Sequence, residues 1–342
     1  MRKLPKEAMP ALFAAIAETQ SLYLPVDTAA GTAKFDRWQE GTTLSEKLKT
    51  TKSAKDFFFP KTETLVEFRK NGASLEIEDP RRETEDFVLF GVRSCDARSF
   101  SILDRVFLAE PVDTYYQNRR RHGTIVTLAC ARPEETCFCT AFGIDPTAPE
   151  GDVAAWLTED ALYLDAQTEK GEKLLASVAP LTEEADGAAV EAQNRAVKAI
   201  LERLPNKDLP LDRFGTGTTE THFRSEKWTS LSEACLGCGT CTFNCPTCQC
   251  YDIRDFDTGH GVRRFRCWDS CMFSDFTKMA SGNPRLTQKE RFRQRFLHKL
   301  VYFPENNDGV FGCVGCGRCV EKCPMGLNIV RVIKALGEEE TK

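Results

Sequence analysis

Apolar residues recur along the N-terminal half of the chain in two periods. Residues 5–19 place Ala8, Leu12, Ala15 and Ile16 at helical spacing and predict a short amphipathic helix, with a strand from Leu22 to Val26 after it. From Gly31 to Lys55 the pattern dissolves into polar, Thr- and Lys-rich sequence, which predicts loop with little regular structure. The aromatic knot Phe57-Phe58-Phe59-Pro60 suits core packing better than ligand stacking, because clustered rings usually pack on one another. Thr64 to Phe68 and Ala73 to Ile77 alternate at period two on either side of Asn71-Gly72, the mark of a hairpin.

The nearly continuous apolar run Phe87-Val88-Leu89-Phe90-Gly91-Val92 predicts a strand covered on both faces. Helical spacing follows from Ala97 to Phe107 through Phe100 and Leu103, with Asp96 placed to cap it, so Cys95 falls in the turn between strand and helix. A second strand, Thr124 to Ala129, also ends on a cysteine, Cys130, and Cys137 and Cys139 come shortly after. If the two strands share a parallel sheet, Cys95 and Cys130 emerge at one edge, where open α/β sheets commonly place ligands, and Cys137 and Cys139 can fold back over it. Those four cysteines would suit a third cluster; the competing reading makes Cys95 and Cys130 small core residues and Cys137 and Cys139 surface thiols.

Trp156 to Asp165 reads as peripheral structure, and Ala188 to Leu204 as a helix with Val190, Val197, Ile200, Leu201 and Leu204 inward. Pro205 to Pro210 and Gly215 to Thr219 read as a connector, which sets a domain boundary near residue 220. Beyond it the chemistry becomes dense. Cys235-x2-Cys238-x2-Cys241-x3-Cys245-Pro246 and Cys313-x2-Cys316-x2-Cys319-x3-Cys323-Pro324 are two copies of one spacing. Three close thiolates of each run can grip three corners of a [4Fe-4S] cluster, and the fourth reaches the neighbouring cluster. This assigns Cys235, Cys238, Cys241 and Cys323 to one cluster, and Cys313, Cys316, Cys319 and Cys245 to the other. Structural zinc fits less well, since four cysteines within eleven residues exceed what one tetrahedral ion needs.

The runs are separated by residues 246–312, far more than a compact ferredoxin needs, so helices at Phe273 to Ala280 and Lys289 to Phe303 are expected to brace the cluster loops, and Leu327 to Leu336 to close the domain. Cys248, Cys250, Cys267 and Cys271 lie inside this insert and stay unassigned: zinc, another cluster and burial without metal all remain open. Arg285, Lys289, Arg291, Arg293, Arg295 and Lys299 form a basic stretch that suits a solvated face, docking of an acidic partner, or an offset to cluster charge. The expected architecture is α+β: an N-terminal α/β domain over residues 1–220, then a mainly α-helical ferredoxin-like domain over residues 221–342 holding two [4Fe-4S] clusters.

Composition narrows the setting. A chain of 342 residues supplies cores for two domains, and a net charge of −5 points to neither nucleic acid nor an anionic membrane. The N-terminus starts basic but then carries Glu7 and Pro10, and its apolar stretch runs only from Ala11 to Ala17, which makes a poor signal peptide; no stretch has the length of a membrane span. A cytoplasmic chain with 16 cysteines points to metal or redox chemistry rather than disulfides. There is no G-x-G-x-x-G entering a helix and no Walker sequence, and His122, His222, His260 and His298 are scattered, so hydride chemistry is assigned to another subunit.

Gly91-Val92-Arg93-Ser94-Cys95-Asp96-Ala97-Arg98, Asp113-Thr114-Tyr115-Tyr116, Ala129-Cys130, Thr136-Cys137-Phe138-Cys139, Cys245-Pro246-Thr247-Cys248-Gln249-Cys250 and Trp268-Asp269-Ser270-Cys271 together resemble the iron–sulfur subunits of anaerobic redox complexes. The similar proteins are the beta subunits of cytoplasmic sulfhydrogenases and the corresponding iron–sulfur component of anaerobic sulfite reductase. The likeness runs from about residue 85 to 330; Cys267 falls outside the family pattern, and the first 80 residues match nothing in it. The resemblance implies an electron relay in a hetero-oligomer, with a flavin-containing, NAD(P)H-linked subunit on one side and a catalytic partner on the other: a hydrogenase, a sulfite reductase or a heterodisulfide-reductase-like module. Two other readings compete. One is a self-contained flavin-dependent iron–sulfur oxidoreductase using the sheet edge at Cys95 and Cys130; the other is a redox-sensing regulator, which the acidic charge and the lack of a helix-turn-helix signature disfavour in its DNA-binding form.

Overall fold

The computed structural model of the chain describes residues 1–338. Among the described residues, twelve strands form two sheets. The larger has β1 (Arg2–Pro5), β2 (Ser21–Asp27), β3 (Ala33–Arg37), β6 (Phe87–Val92), β7 (Gly123–Leu128), β8 (Val153–Leu157), β9 (Ala161–Ala166) and β10 (Glu183–Glu184); the smaller has β4 (Thr62–Asn71), β5 (Ser74–Glu78), β11 (Tyr251–Asp257) and β12 (Gly261–Trp268). The eight-stranded order is β10-β1-β9-β8-β7-β6-β2-β3. Its centre, β2-β6-β7-β8, is parallel, and antiparallel strands flank it on both sides.

The central strands show why continuous apolar sequence is needed there. All six residues of β6 and of β7 are buried. Because side chains alternate, Val88, Phe90, Val126 and Leu128 point to one face, where they meet Leu12, Phe13 and Ile16 of the helix Met9–Ala17 and Leu174 of the helix Glu169–Ser177. Phe87, Leu89 and Ile125 point to the other, onto Phe100, Leu103 and Phe107 of the helix Ser94–Phe107 and onto Phe58 and Phe59. Each ring fully buried there contributes roughly 1.5–3 kcal/mol, so the aromatic knot is core, as its clustering suggests.

Several expectations need correction. The segment 156–165 is not peripheral: β8 and β9 are almost wholly buried inside the larger sheet. The polar stretch after residue 31 contains β3, paired with β2 through backbone hydrogen bonds that its sequence does not advertise. Asp96 does not cap the helix after β6; that helix starts at Ser94 without a side-chain cap, and Asp96 is engaged elsewhere.

The C-terminal region mixes helices with a hairpin and turns. It has helices at Lys227–Ser232, Gln288–Leu297 and Ile329–Gly337, whose apolar faces share one core, but Phe273 to Ala280 is a series of turns. The helix Gln288–Leu297 begins at a capping box of Thr287 and Glu290 and runs on through a π-helical turn, His298–Tyr302, into Phe303–Asn306. The insert also folds as the hairpin β11–β12, and β12 pairs with β4 in the order β11-β12-β4-β5. The smaller sheet therefore takes two strands from each side of residue 220. Trp268 at the end of β12 stacks on Phe59, centroids 5.9 Å apart, and joins the aromatic core of the N-terminal half. No helix among the described residues is long and apolar enough to cross a membrane.

Candidate metal centre

Among the described residues, three cavities are lined by four cysteines or more. The outer one has Cys235, Cys238, Cys241 and Cys323 in its wall. The middle one has Cys245, Cys313, Cys316 and Cys319. The inner one has Cys95, Cys130, Cys137 and Cys139, with Cys316 on the wall it shares with the middle cavity. Each run thus sends its fourth cysteine to the cavity lined by the other run's first three. No described histidine lines these cavities. No group of three or more His, Cys, Asp or Glu among the described residues is placed to hold a single metal ion. Thiols spread around a cavity, rather than meeting at a point, suit a cluster bridged by inorganic sulfide better than a zinc ion.

The outer cavity is built almost entirely from local sequence. Of the described cysteines, Cys238 alone is exposed. Donors surround its thiols: Gln288 Nε2 to Cys235 Sγ at 3.4 Å, Arg295 Nε to Cys241 Sγ at 3.0 Å and the Leu327 amide to Cys323 Sγ at 3.3 Å. Hydrogen bonds from Thr240 hold the Cys238 thiol below its ordinary pKa. Donors aimed at sulfur favour the thiolate over the thiol, as metal ligation requires.

The middle cavity has buried cations in its wall. Arg295 and Lys299, 2 % and 5 % exposed, sit one helical turn apart beyond Phe292, on the inward side of the basic stretch. Burial lowers the Lys299 pKa, but Cys245 and Cys248 outweigh it and hold the pKa above the usual value. Lys299 Nζ donates to Thr247 Oγ1 at 2.6 Å and to the Gly312 carbonyl at 2.9 Å. Arg295 uses Nε and Nη2 on Cys241, while Nη1 stays buried without a partner. A cation left partly unpaired in a cavity wall needs negative charge beside it, and an anionic thiolate-bound cluster would supply it. Arg295 therefore stands between the outer and middle cavities.

The inner cavity draws on distant sequence. The parallel pairing of β6 and β7 brings Cys95 and Cys130 to one sheet edge, and the loop carrying Cys137 and Cys139 closes over it. Lys49 and Arg93 complete the wall. Lys49 bonds Thr136 Oγ1 and Glu134 Oε2, each at 2.8 Å, and Arg93 bonds the Leu48 and Ala129 carbonyls, each at 2.9 Å. Burial pushes the Cys130 thiol up to about 11 and those of Cys95 and Cys139 further. Such thiols ionise at neutral pH only when a metal displaces their protons.

Inner and middle cavities share a thin wall. The Phe138 amide donates to the Gly315 carbonyl at 3.0 Å, and Phe138 itself lines the middle cavity. Gly315 and Gly317 lie against the Phe138 and Thr136 carbonyls with φ of +58° and +79°, and a Cβ at either would collide with them. Across this wall Arg318 grips Asp96 through two hydrogen bonds, 2.5 and 2.7 Å, and reaches the Thr50 carbonyl at 3.0 Å, with both charged side chains 2 % exposed.

Of the four insert cysteines, Cys248, Cys250 and Cys271 lie near one another and Cys267 stands apart. Cys248 bonds to Cys245 and raises its own pKa while lowering that of Cys245; Cys250 and Cys271 form another thiol pair, with Cys250 held at about 7 chiefly by the Cys271 hydrogen bond. Cys267, on β12, faces Arg254, Asp252 and Asp269. Beside the thiols Lys55, fully enclosed, donates to the Cys248 carbonyl at 2.8 Å and lies 3.7 Å over the Trp268 ring; burial lowers its pKa to about 8.

Sequence reasoning missed Lys49, Lys55 and the Arg318–Asp96 pair. Arg295 and Lys299 were readable in part, since their spacing places them in line with Phe292 and Phe296, on the apolar face of a helix. Lys49 and Lys55 lie in or beside polar sequence and carry no such signal.

Residues 234–327 match the protein family described as a 4Fe-4S dicluster domain. The chain is also 32% identical over 343 residues, 98% of each protein, to the sulfhydrogenase 2 subunit beta of Pyrococcus furiosus. No solved structure matches it.

Proposed function

The chain belongs to the family of sulfhydrogenase beta subunits, iron–sulfur proteins with a 4Fe-4S dicluster domain, and from that membership we propose that it relays electrons through three [4Fe-4S] sites inside a hetero-oligomeric oxidoreductase. The observation that carries the reading is the order of the cavities: Arg295 joins outer to middle, and Cys316 joins middle to inner. When bound, a [4Fe-4S] cluster accepts and releases one electron. The chain's own residues set the conditions. Cys235, Cys238, Cys241 and Cys323 hold the outer site, Cys245, Cys313, Cys316 and Cys319 the middle one, and Cys95, Cys130, Cys137 and Cys139 the inner one. Arg295, Lys299 and Lys49 offset the anionic charge that these thiolates bring into the interior, and Phe292, Phe296 and Phe138 keep the walls apolar.

The relay would connect a flavin-containing, NAD(P)H-linked subunit to a catalytic redox subunit, such as a hydrogenase, a sulfite reductase or a heterodisulfide-reductase-like module, in the cytoplasm. The name of the Pyrococcus protein makes a hydrogenase the nearest analogy. In the rival reading flavin would occupy the sheet edge beside Cys95 and Cys130, and there the four thiols line the available space. Anaerobically prepared protein is expected to hold about twelve irons and no flavin, at four irons per cluster. Cys139→Ala should lower that to about eight. A count near eight that Cys139→Ala leaves unchanged removes the inner site from the account, and bound flavin with NAD(P)H-driven turnover by the isolated chain replaces the relay reading with the rival one.

A further inference from the structure

Electrons that move between proteins must leave through a surface, and the three sites differ in how near the surface they lie. Cys95, Cys130, Cys137 and Cys139 are each no more than 9 % exposed, whereas Cys238 in the outer cavity is open to solvent. Large apolar side chains surround that opening. Leu236 and Met325 line it and are 67 % and 43 % exposed. Leu286, 76 % exposed, is tied to the same rim: Arg291 donates to the Leu286 carbonyl and to Gln288, and Gln288 donates to Cys235 Sγ. Leucine and methionine side chains grouped around a redox site and left in water mark a place that another surface covers.

The charge beside this collar says what covers it. Arg285, Lys289 and Arg291 occupy the start of the helix Gln288–Leu297 and the segment leading into it. The Glu290 carboxylate is turned onto the Thr287 amide at 2.8 Å in the capping box, and Glu233, the exposed acid on the approach to Cys235, is outnumbered. Apolar centre and basic rim together select a partner with an acidic surface around its own cofactor, because complementary charge speeds encounter and fixes orientation. Resting on the relay reading above, we propose that the mouth of the outer cavity, formed by Leu236, Leu286 and Met325 with Arg285, Lys289 and Arg291, is the docking surface for an acidic redox protein that exchanges single electrons with the outer site. A second exposed apolar patch, Leu75 and Ile77 on β5, lies on the smaller sheet away from all three cavities and serves as the control.

The test uses the full, iron-loaded chain and an acidic plant-type [2Fe-2S] ferredoxin as probe. Reduced protein is mixed anaerobically with oxidised ferredoxin, so that one electron passes to the [2Fe-2S] centre and no proton moves. The double variant Leu286→Asp with Lys289→Glu changes residues outside the cavity wall. It is expected to lower the second-order rate at least tenfold with iron content and the rate of methyl viologen oxidation unchanged, and the wild-type rate should fall as salt rises. Ile77→Asp should leave the ferredoxin rate as it is. An unaltered rate in the double variant, a loss caused by Ile77→Asp instead, or no ferredoxin reaction in iron-loaded wild type overturns the docking proposal while the relay stands. Wild type lacking iron overturns the relay itself.

Discussion

The outer and inner cavities each gather a set of four thiols, in opposite settings. The outer set comes from a loop of seven residues, Cys235 to Cys241, plus one cysteine from the second run, and it opens to water at Cys238. The inner set is gathered from a strand end, a second strand end and a loop, and all four thiols are buried. Local spacing can build a ligand set near the surface, where hydration and backbone donors tolerate the thiolate charge. A thiol set assembled by a sheet lies inside the protein, and there fixed cations such as Lys49 and Arg93 stand in the wall in place of water.

The largest expected effect separates the two by access. Under air or an iron chelator, about four of the twelve irons should leave at least tenfold faster than the rest, followed by absorbance and iron release, with Cys238 alkylated first by a thiol reagent. Uniform loss would abolish the distinction between an open and a closed site. The next contrast concerns the crossed fourth ligands. Cys245→Ala should cost the middle site, about four irons, and leave the paramagnetic signal of the outer site in place; loss of the outer signal alone would show that each run binds only its own cluster. The third is a matter of stability. Arg318→Ala leaves Asp96 buried without a partner in the wall between middle and inner sites and should destabilise the fold by about 3–5 kcal/mol, read from the denaturant midpoint. The paired change Arg318→Met with Asp96→Leu should recover much of that, and equal loss in both variants would mean the site responds to shape rather than to charge.

Those contrasts also mark how far the sequence reached. Phe87 to Val92 was legible as a buried strand because an apolar run without polar interruptions has no other stable place in a sheet. The strands β11 and β12 were not, although Ile253 alternates with charged neighbours: Arg264 pairs with Asp255 at 2.8 Å, and Arg263 forms an ion pair with Glu67 on β4. Their stabilising partners are cross-strand charges whose register only the folded hairpin fixes. Asp96 looked like a helix cap from its place before an apolar helix, and the competing partner, Arg318, lies more than two hundred residues away.

The sequence alone set the expected ligands of the outer and middle sites, crossed fourth cysteines included, because the spacing of thiolates within a loop specifies which corners of a cluster they can reach. It also placed Cys95 and Cys130 at two strand ends, and the structure supplied the parallel pairing that brings them together. The tertiary structure decided the rest: the closing of the Cys137 and Cys139 loop over the sheet edge, the hairpin that joins the smaller sheet, and the burial of Arg295, Lys299, Lys49 and Arg318 among thiols. A buried charge becomes affordable only when partners from remote segments meet it, and that meeting is a property of the fold.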